Sequence, residues 1–181
     1  MFYNRETRSI LLPTCLFKNV SYITPAFLKK NGIKALVLDV DNTLTSHNSQ
    51  QLAPEISAWL QAMHDAGIKL AIASNNTKKR VIPFAKAIGL DFVANSAKPL
   101  PYGFMRAQKL FGVAKNEMAL VGDQIFTDVM GANLYGIKCL MVEPLAPEIK
   151  ASIAFKRKLE KPIMAKYHKN GGAYISAKEK Q

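Results

Sequence analysis

Between residues 33 and 142, short apolar runs alternate with amphipathic stretches, and this alternation constrains the fold more than any other feature of the chain. Ala35 to Leu38 reads as a strand. In PEISAWLQAMHDAG, Pro54 marks a helix start, Ile56, Trp59, Leu60 and Met63 recur at helical spacing, and Gly67 marks the stop. Lys69 to Ala73 is the next strand, and Thr77 to Ile88 a helix closed by Gly89 and interrupted or kinked at Pro83. Asp91 to Ala94, Met118 to Val121 and Lys138 to Val142 read as further strands, separated by helices over Pro101 to Phe111 and Thr127 to Tyr135. Strands alternating with helices of this length imply βαβ units, that is, an α/β fold with a parallel sheet covered by helices on both faces. In such sheets ligands bind at the carboxyl ends of the strands.

The chain has 181 residues and is 49% hydrophobic, enough for one domain with a core but short for two. We divide it into an N-terminal extension (1–34), a core (35–148) and a tail (149–181). Cys15 and Cys139 lie far apart in apolar company and read as buried thiols. The most apolar stretch, residues 9–28, is broken by Pro13, Lys18 and Pro25, and no run reaches the roughly 18 residues of a membrane span. A cytoplasmic protein is expected. The net charge of +12 lies wholly in the flanks: residues 35–148 carry ten basic and ten acidic side chains, residues 1–34 six against one, and residues 149–181 nine against two. Such a distribution suits peripheral docking onto a polyanion rather than a basic catalytic cleft. The tail places Ile149, Ile153, Leu159, Ile163 and Tyr167 in one helical arc, with Lys156 and Glu160 intruding and Pro162 interrupting. It reads as a loose, basic amphipathic segment, frayed from Asn170 onward.

Four strand ends carry polar residues: LVLDVDNT (Asp39, Asp41), LAIASNN (Ser74, Asn75), FVANSAKP (Lys98) and LVGDQIFTD (Asp123, Asp128). One such residue after a strand is commonly a turn or a helix cap. The complete ordered set resembles the four motifs of the haloacid dehalogenase (HAD) phosphatase superfamily. The wording DVDNTL, SNN, AKPL and GDQIFTDV, after an N-terminal TPAFLKKNGIK, is similar to the YqeG-type branch, related to phosphatidylglycerophosphate phosphatases. That resemblance implies a Rossmann-like HAD fold and a phosphomonoester hydrolase working through an aspartyl-phosphate. Asp39 is then the nucleophile and Asp41, two residues on and returned to the same side, the general acid and base. Ser74, Lys98 and Asn75 would bind the transferring phosphoryl group. Converging carboxylates and a phosphate require a cation, and hard oxygen ligands point to Mg²⁺. The expected metal site comprises Asp39, Asp41, Asp123 and Asp128: Asp39 and Asp123 by their carboxylates, Asp41, as the resemblance implies, by its main-chain carbonyl, and Asp128 in the outer shell, orienting Lys98 or a bound water. Thr43 caps or braces the nucleophile loop.

Other polar residues fit plainer roles. His47, His64 and His168 share no metal-ligand spacing. Lys78, Lys79 and Arg80 form a solvated run at a helix start, close enough to Asn75 to meet an anionic substrate, and Tyr102 and Arg106 are possible substrate contacts near Lys98. The segments between the motifs hold one helix and one strand each, leaving no room for a large cap domain. An open site suits a phosphate presented on something large, and with basic flanks the leading expectation is phosphatidylglycerophosphate, an anionic phospholipid, at a membrane surface. A nucleotide, nucleic-acid or phosphoprotein substrate, and a non-catalytic RNA- or ribosome-associated binding protein, stand as alternatives.

Overall fold

Every strand of the sheet begins or ends as a continuous apolar run, because helices cover both of its faces. The computed structural model describes residues 9–46, 49, 51–148 and 151–175. The strands are β1 (Cys15–Phe17), β2 (Ala35–Leu38), β3 (Lys69–Ala73), β4 (Asp91–Val93), β5 (Met118–Gly122) and β6 (Lys138–Val142). All pair in parallel, in the order β1-β6-β5-β2-β3-β4. The helices are α1 (Pro25–Lys30), α2 (Pro54–Asp65), α3 (Lys78–Ala87), α4 (Tyr102–Phe111), α5 (Met130–Tyr135) and α6 (Ala151–Lys169).

Alternation along β2 sends Leu36 and Leu38 to one face and Ala35 and Val37 to the other. The first face packs against α2 (Ile56, Trp59, Met63) and α3 (Val81, Phe84), the second against α4 (Phe104, Ala107, Phe111) and α5 (Ala132, Tyr135). Ile163, Met164 and Tyr167 of α6 join the second face. In the register, Leu38 lies opposite Ile72 on one side and Val121 on the other, so β2, β3 and β5 finish level with one another at one edge.

Pro83 sits inside α3 without ending it, so the expected helix forms. Other elements differ from the sequence reading. The expected helix over 127–135 divides into a π-helical turn, Ile125–Val129, followed by α5. Cys15–Phe17, placed by sequence in an extension, is the outer strand β1 on β6, and Val20, Ile23 and Leu28 behind it are fully buried. Trp59 donates its indole N–H to Ile23 O at 2.7 Å and ties α2 to this segment. From Cys15 to Leu28, the large apolar side chains of the nearest membrane candidate thus pack into the core, whereas Ile10 at its start is exposed.

The tail is likewise docked. In α6 the inward positions are Ile153, Arg157, Glu160, Ile163, Met164 and Tyr167, whereas Leu159 is exposed and Glu160 is buried. Glu160 wins the inward position because Ile125 N–H, at the head of the π turn, needs an acceptor and finds Glu160 Oε1 at 2.8 Å. Beyond Asn170, Tyr174 bridges Leu16 and Ile175 N–H donates to Leu16 O at 2.8 Å, so the stretch to 175 is paired rather than frayed. No helix among the described residues is long and apolar enough to cross a membrane.

Candidate active site

The level strand ends bring the four motifs together at one edge. Asp39 continues the ladder, its N–H donating to Val121 O at 2.9 Å. Just past it, Asn42 takes φ 64°, a left-handed conformation that asparagine tolerates, and its N–H closes a turn on Thr45 O at 2.7 Å. This turn carries the chain off the sheet and leaves Asp41 facing the β3 loop. Asp41 Oδ2 accepts from Asn76 Nδ2 at 2.7 Å, and Oδ1 accepts from Arg80 Nη2 at 3.2 Å. Arg80 also donates to Ser49 O at 2.6 Å. It is thus part of the site, while its neighbours Lys78 and Lys79 face solvent.

Ser74 is buried at the end of β3, and its hydroxyl oxygen accepts from Asn76 N–H at 3.1 Å. Asn75, expected at the phosphate, instead braces the Lys98 loop. Its Oδ1 accepts from Lys98 N–H at 2.7 Å and Ser96 Oγ at 3.1 Å, and its Nδ2 donates to Lys98 O at 2.8 Å. Both ends of the amide are engaged because the loop, with Asn95 and Ala97 at positive φ, lacks a ladder to satisfy its main chain. The brace delivers Lys98 into the interior, where Nζ lies 2.6 Å from Asp39 Oδ1 and 2.7 Å from Asp128 Oδ1.

The third contribution comes from β5 and the π turn. A Cβ on Gly122 would lie 2.5 Å from Asp128 Cγ, so the glycine is what allows Asp128 to fold back over the strand end. Asp128 Oδ2 there accepts Gln124 N–H at 3.1 Å. Asp123 is completely buried. Its Oδ1 accepts from Thr43 Oγ1 at 3.2 Å, so Thr43 braces this aspartate, and its Oδ2 pairs with Arg157 of α6. Arg157 Nη1 also donates to Asp123 O at 2.5 Å, and the guanidinium is held by Glu148 at 2.8 Å and Glu160 at 2.9 Å.

Burial pushes the Asp39 carboxyl up to about 7; Lys98 opposes this and the Asp128 charge adds to it. Burial works against the charge of Lys98, but Asp128 and Asp39 outweigh it and hold the ammonium above its ordinary value. Asp123 is raised well above a usual carboxylate by burial, against the opposing pull of Arg157.

Carboxylate oxygens of Asp39, Asp123 and Asp128 all lie within 4.8 Å of one another, and all three residues are buried. Around them six carboxylates (Asp39, Asp41, Asp123, Asp128, Glu148, Glu160) meet three cationic side chains, Lys98, Arg80 and Arg157. An oxygen-only donor set with excess negative charge fits a hard divalent cation such as Mg²⁺. Asp41 contributes no carboxylate oxygen to this cluster, its side chain being turned to Asn76 and Arg80.

The remaining candidates lie elsewhere. Tyr102 is exposed, and Arg106 donates to Asn95 O at 3.2 Å on the outer side of the Lys98 loop. His168 bonds Gly172 O in the exposed tail, and His47 is outside the described residues. His64 lines a cleft of about 760 Å³ between α2 and α3 that opens at the starts of β3 and β4, the edge opposite the carboxylates. Sequence reasoning missed Asn76, Arg157 and Glu160. The first had a signal, since it stands two residues beyond Ser74; Glu160 showed only as an intrusion on the apolar arc of the tail, and Arg157 had none.

The profile of haloacid dehalogenase-like hydrolases matches residues 47–136. A probable phosphatase of Bacillus subtilis, YqeG, is 32% identical over 91% of this chain and 95% of its own. The chain belongs to the haloacid dehalogenase-like hydrolases. Within that family, the profile of mitochondrial PGP phosphatase matches residues 3–88. A chloroplastic/mitochondrial phosphatidylglycerophosphate phosphatase of Arabidopsis thaliana is 26% identical over 92% of this chain and 51% of its own length. Among solved structures, an uncharacterized protein from Listeria monocytogenes superposes with TM-score 0.50 at 18% identity, covering 74% of this chain and 98% of that one. A hypothetical protein from Xanthomonas campestris gives 0.51 at 17% identity, covering 71% and 72%. The sheet and its helices thus form the HAD-type fold.

Proposed function

We propose that the protein is a Mg²⁺-dependent phosphomonoester hydrolase that dephosphorylates phosphatidylglycerophosphate to phosphatidylglycerol. The observation that carries the chemistry is the pairing of two differently held carboxylates two residues apart: Asp39 buried against Lys98, and Asp41 on polar donors at the rim. An oxygen of Asp39 attacks phosphorus, the ester bond breaks, and Asp41 gives its proton to the departing alkoxide. Asp41 then takes a proton from water, whose oxygen attacks the aspartyl-phosphate and releases inorganic phosphate and Asp39. Lys98 and the hydroxyl of Ser74 face the charge that spreads over the phosphoryl oxygens. A divalent cation on Asp39, Asp123 and Asp128 would neutralise the carboxylates and polarise the phosphoryl group.

The substrate reading is supported by the Arabidopsis relative, a phosphatidylglycerophosphate phosphatase, and by the absence of room for a cap. Among the described residues, α2 is the only α-helix between Thr43 and Ser74 and α3 the only one between Asn75 and Lys98, so the rim at Asp41 and Asn75 is open. Such a rim admits a headgroup that stays anchored in a bilayer. Phosphate release from short-chain phosphatidylglycerophosphate should exceed release from mononucleotides and phosphopeptides at equal concentration. Preferential turnover of either of the latter overturns the lipid assignment, and a biological role that survives Asp39→Asn overturns catalysis itself.

A further inference from the structure

Helix α6 has two unlike faces. Inward, Arg157 reaches Asp123 and Glu160 reaches Ile125 N–H, so this helix is pinned to the catalytic edge. Outward, Phe155 is 62% and Leu159 47% exposed, one turn apart on the same stripe. Exposed lysines surround them: Lys156, Lys158, Lys161, Lys166 and Lys169. Among the described residues none of the five takes part in an ion pair, and Glu160, the one acidic residue of α6, is turned inward. The outer face is therefore purely cationic with two large apolar side chains set into it. At a helix surface, basic residues with embedded Phe and Leu suit a lipid interface, where the apolar groups enter the acyl boundary and the ammonium groups meet lipid phosphates. A nucleic-acid backbone offers the charge but no place for Leu159.

We infer that the outward face of α6 is a docking surface for an anionic membrane, and that docking there holds the catalytic edge at the bilayer. Arg157 lies on the same two turns of helix as Phe155 and Leu159, so the docked face and the metal-site aspartate are one side chain apart. The inference deepens the proposed lipid activity by naming how the membrane is met.

The test separates docking from chemistry. Sedimentation with phosphatidylglycerol vesicles, which contain no phosphomonoester, should bind the full chain, and phosphatidylcholine vesicles should not. Replacing Lys158, Lys161 and Lys166 by Gln should weaken binding on the order of a hundredfold, from several-fold per lysine at an anionic surface. Phe155→Ser should weaken it further, while turnover of a monomeric short-chain substrate stays unchanged in both variants. Absence of vesicle binding, binding that survives the lysine substitutions, or tighter binding to single-stranded RNA than to vesicles at equal ionic strength would each overturn the proposal. Vesicle binding without lipid turnover would leave docking standing and remove the proposed substrate.

Discussion

Replacing Lys98 by Met isolates the charge at the centre of the site. The Lys98 side chain is 2% exposed and bridges Asp39 and Asp128 at 2.6 and 2.7 Å. Methionine keeps most of the apolar stem, so the main loss is the ammonium group. Removing one partner of a buried pair costs about 3–5 kcal/mol, because the carboxylates left behind are uncompensated. At roughly 2–4 °C per kcal/mol for a chain of this size, the metal-free variant should melt on the order of 10 °C lower at about pH 8. The pH dependence has a definite sign. Asp39 in the folded protein is raised from 3.8 to about 7, so its contribution to stability is present below 3.8 and is lost as pH rises through about 7. Loss of Lys98 removes the charge that lowers that carboxyl, and protonation of Asp39 relieves its repulsion with Asp128. The deficit of the variant should therefore be largest at about pH 8 and shrink by about pH 5.5. Calorimetric unfolding in chelator at the two pH values reads this directly. A deficit that is equal at both, or below about 1 kcal/mol, would refute the view that Lys98 is there to balance buried carboxylates.

Three further substitutions probe the same edge. Asp39→Asn should abolish phosphate release yet raise metal-free stability at about pH 8, since it removes a carboxylate whose charge the fold disfavours; denaturant unfolding beside an activity assay checks both halves. Gly122→Ala forces a Cβ to 2.5 Å from Asp128 Cγ, and should lower stability by about 1–3 kcal/mol and turnover with it, which thermal unfolding and phosphate release would show. Arg157→Gln leaves Asp123, Glu148 and Glu160 without their shared cation, and should destabilise the metal-free protein by roughly 3 kcal/mol and the Mg²⁺-saturated protein by less, as melting curves with and without the ion would report.

What the sequence disclosed, it disclosed through strands that end in polar residues. Asp39, Ser74, Lys98, Asp123 and Asp128 each follow an apolar run, and parallel pairing had to bring those ends level. The two residues of Asn75 and Asn76 were harder to separate. One braces the Lys98 loop and the other holds Asp41, and only the loop geometry tells which does which. β1 was illegible because three residues between Pro13 and Lys18 have no period of their own; their strand character comes from pairing with β6, more than a hundred residues away. Arg157 and Glu160 were illegible for a related reason. A polar residue on the inner stripe of a helix looks like an intrusion until its partners, Asp123 and Ile125 N–H, are known.

The placement of β1 also bears on how the chain is made. This strand leaves the ribosome before β2 to β6, yet Thr14 and Cys139, which bond across the β1–β6 pair, are separated by 125 positions. At about 5–20 residues per second, the nascent Cys15–Phe17 segment waits roughly 6–25 s for its partner. During that interval the other strands can assemble around β2, while an apolar edge segment remains unpaired. Closure of the sheet at this outer strand is thus a late event in biosynthesis, set by the 125 positions that separate Thr14 from Cys139.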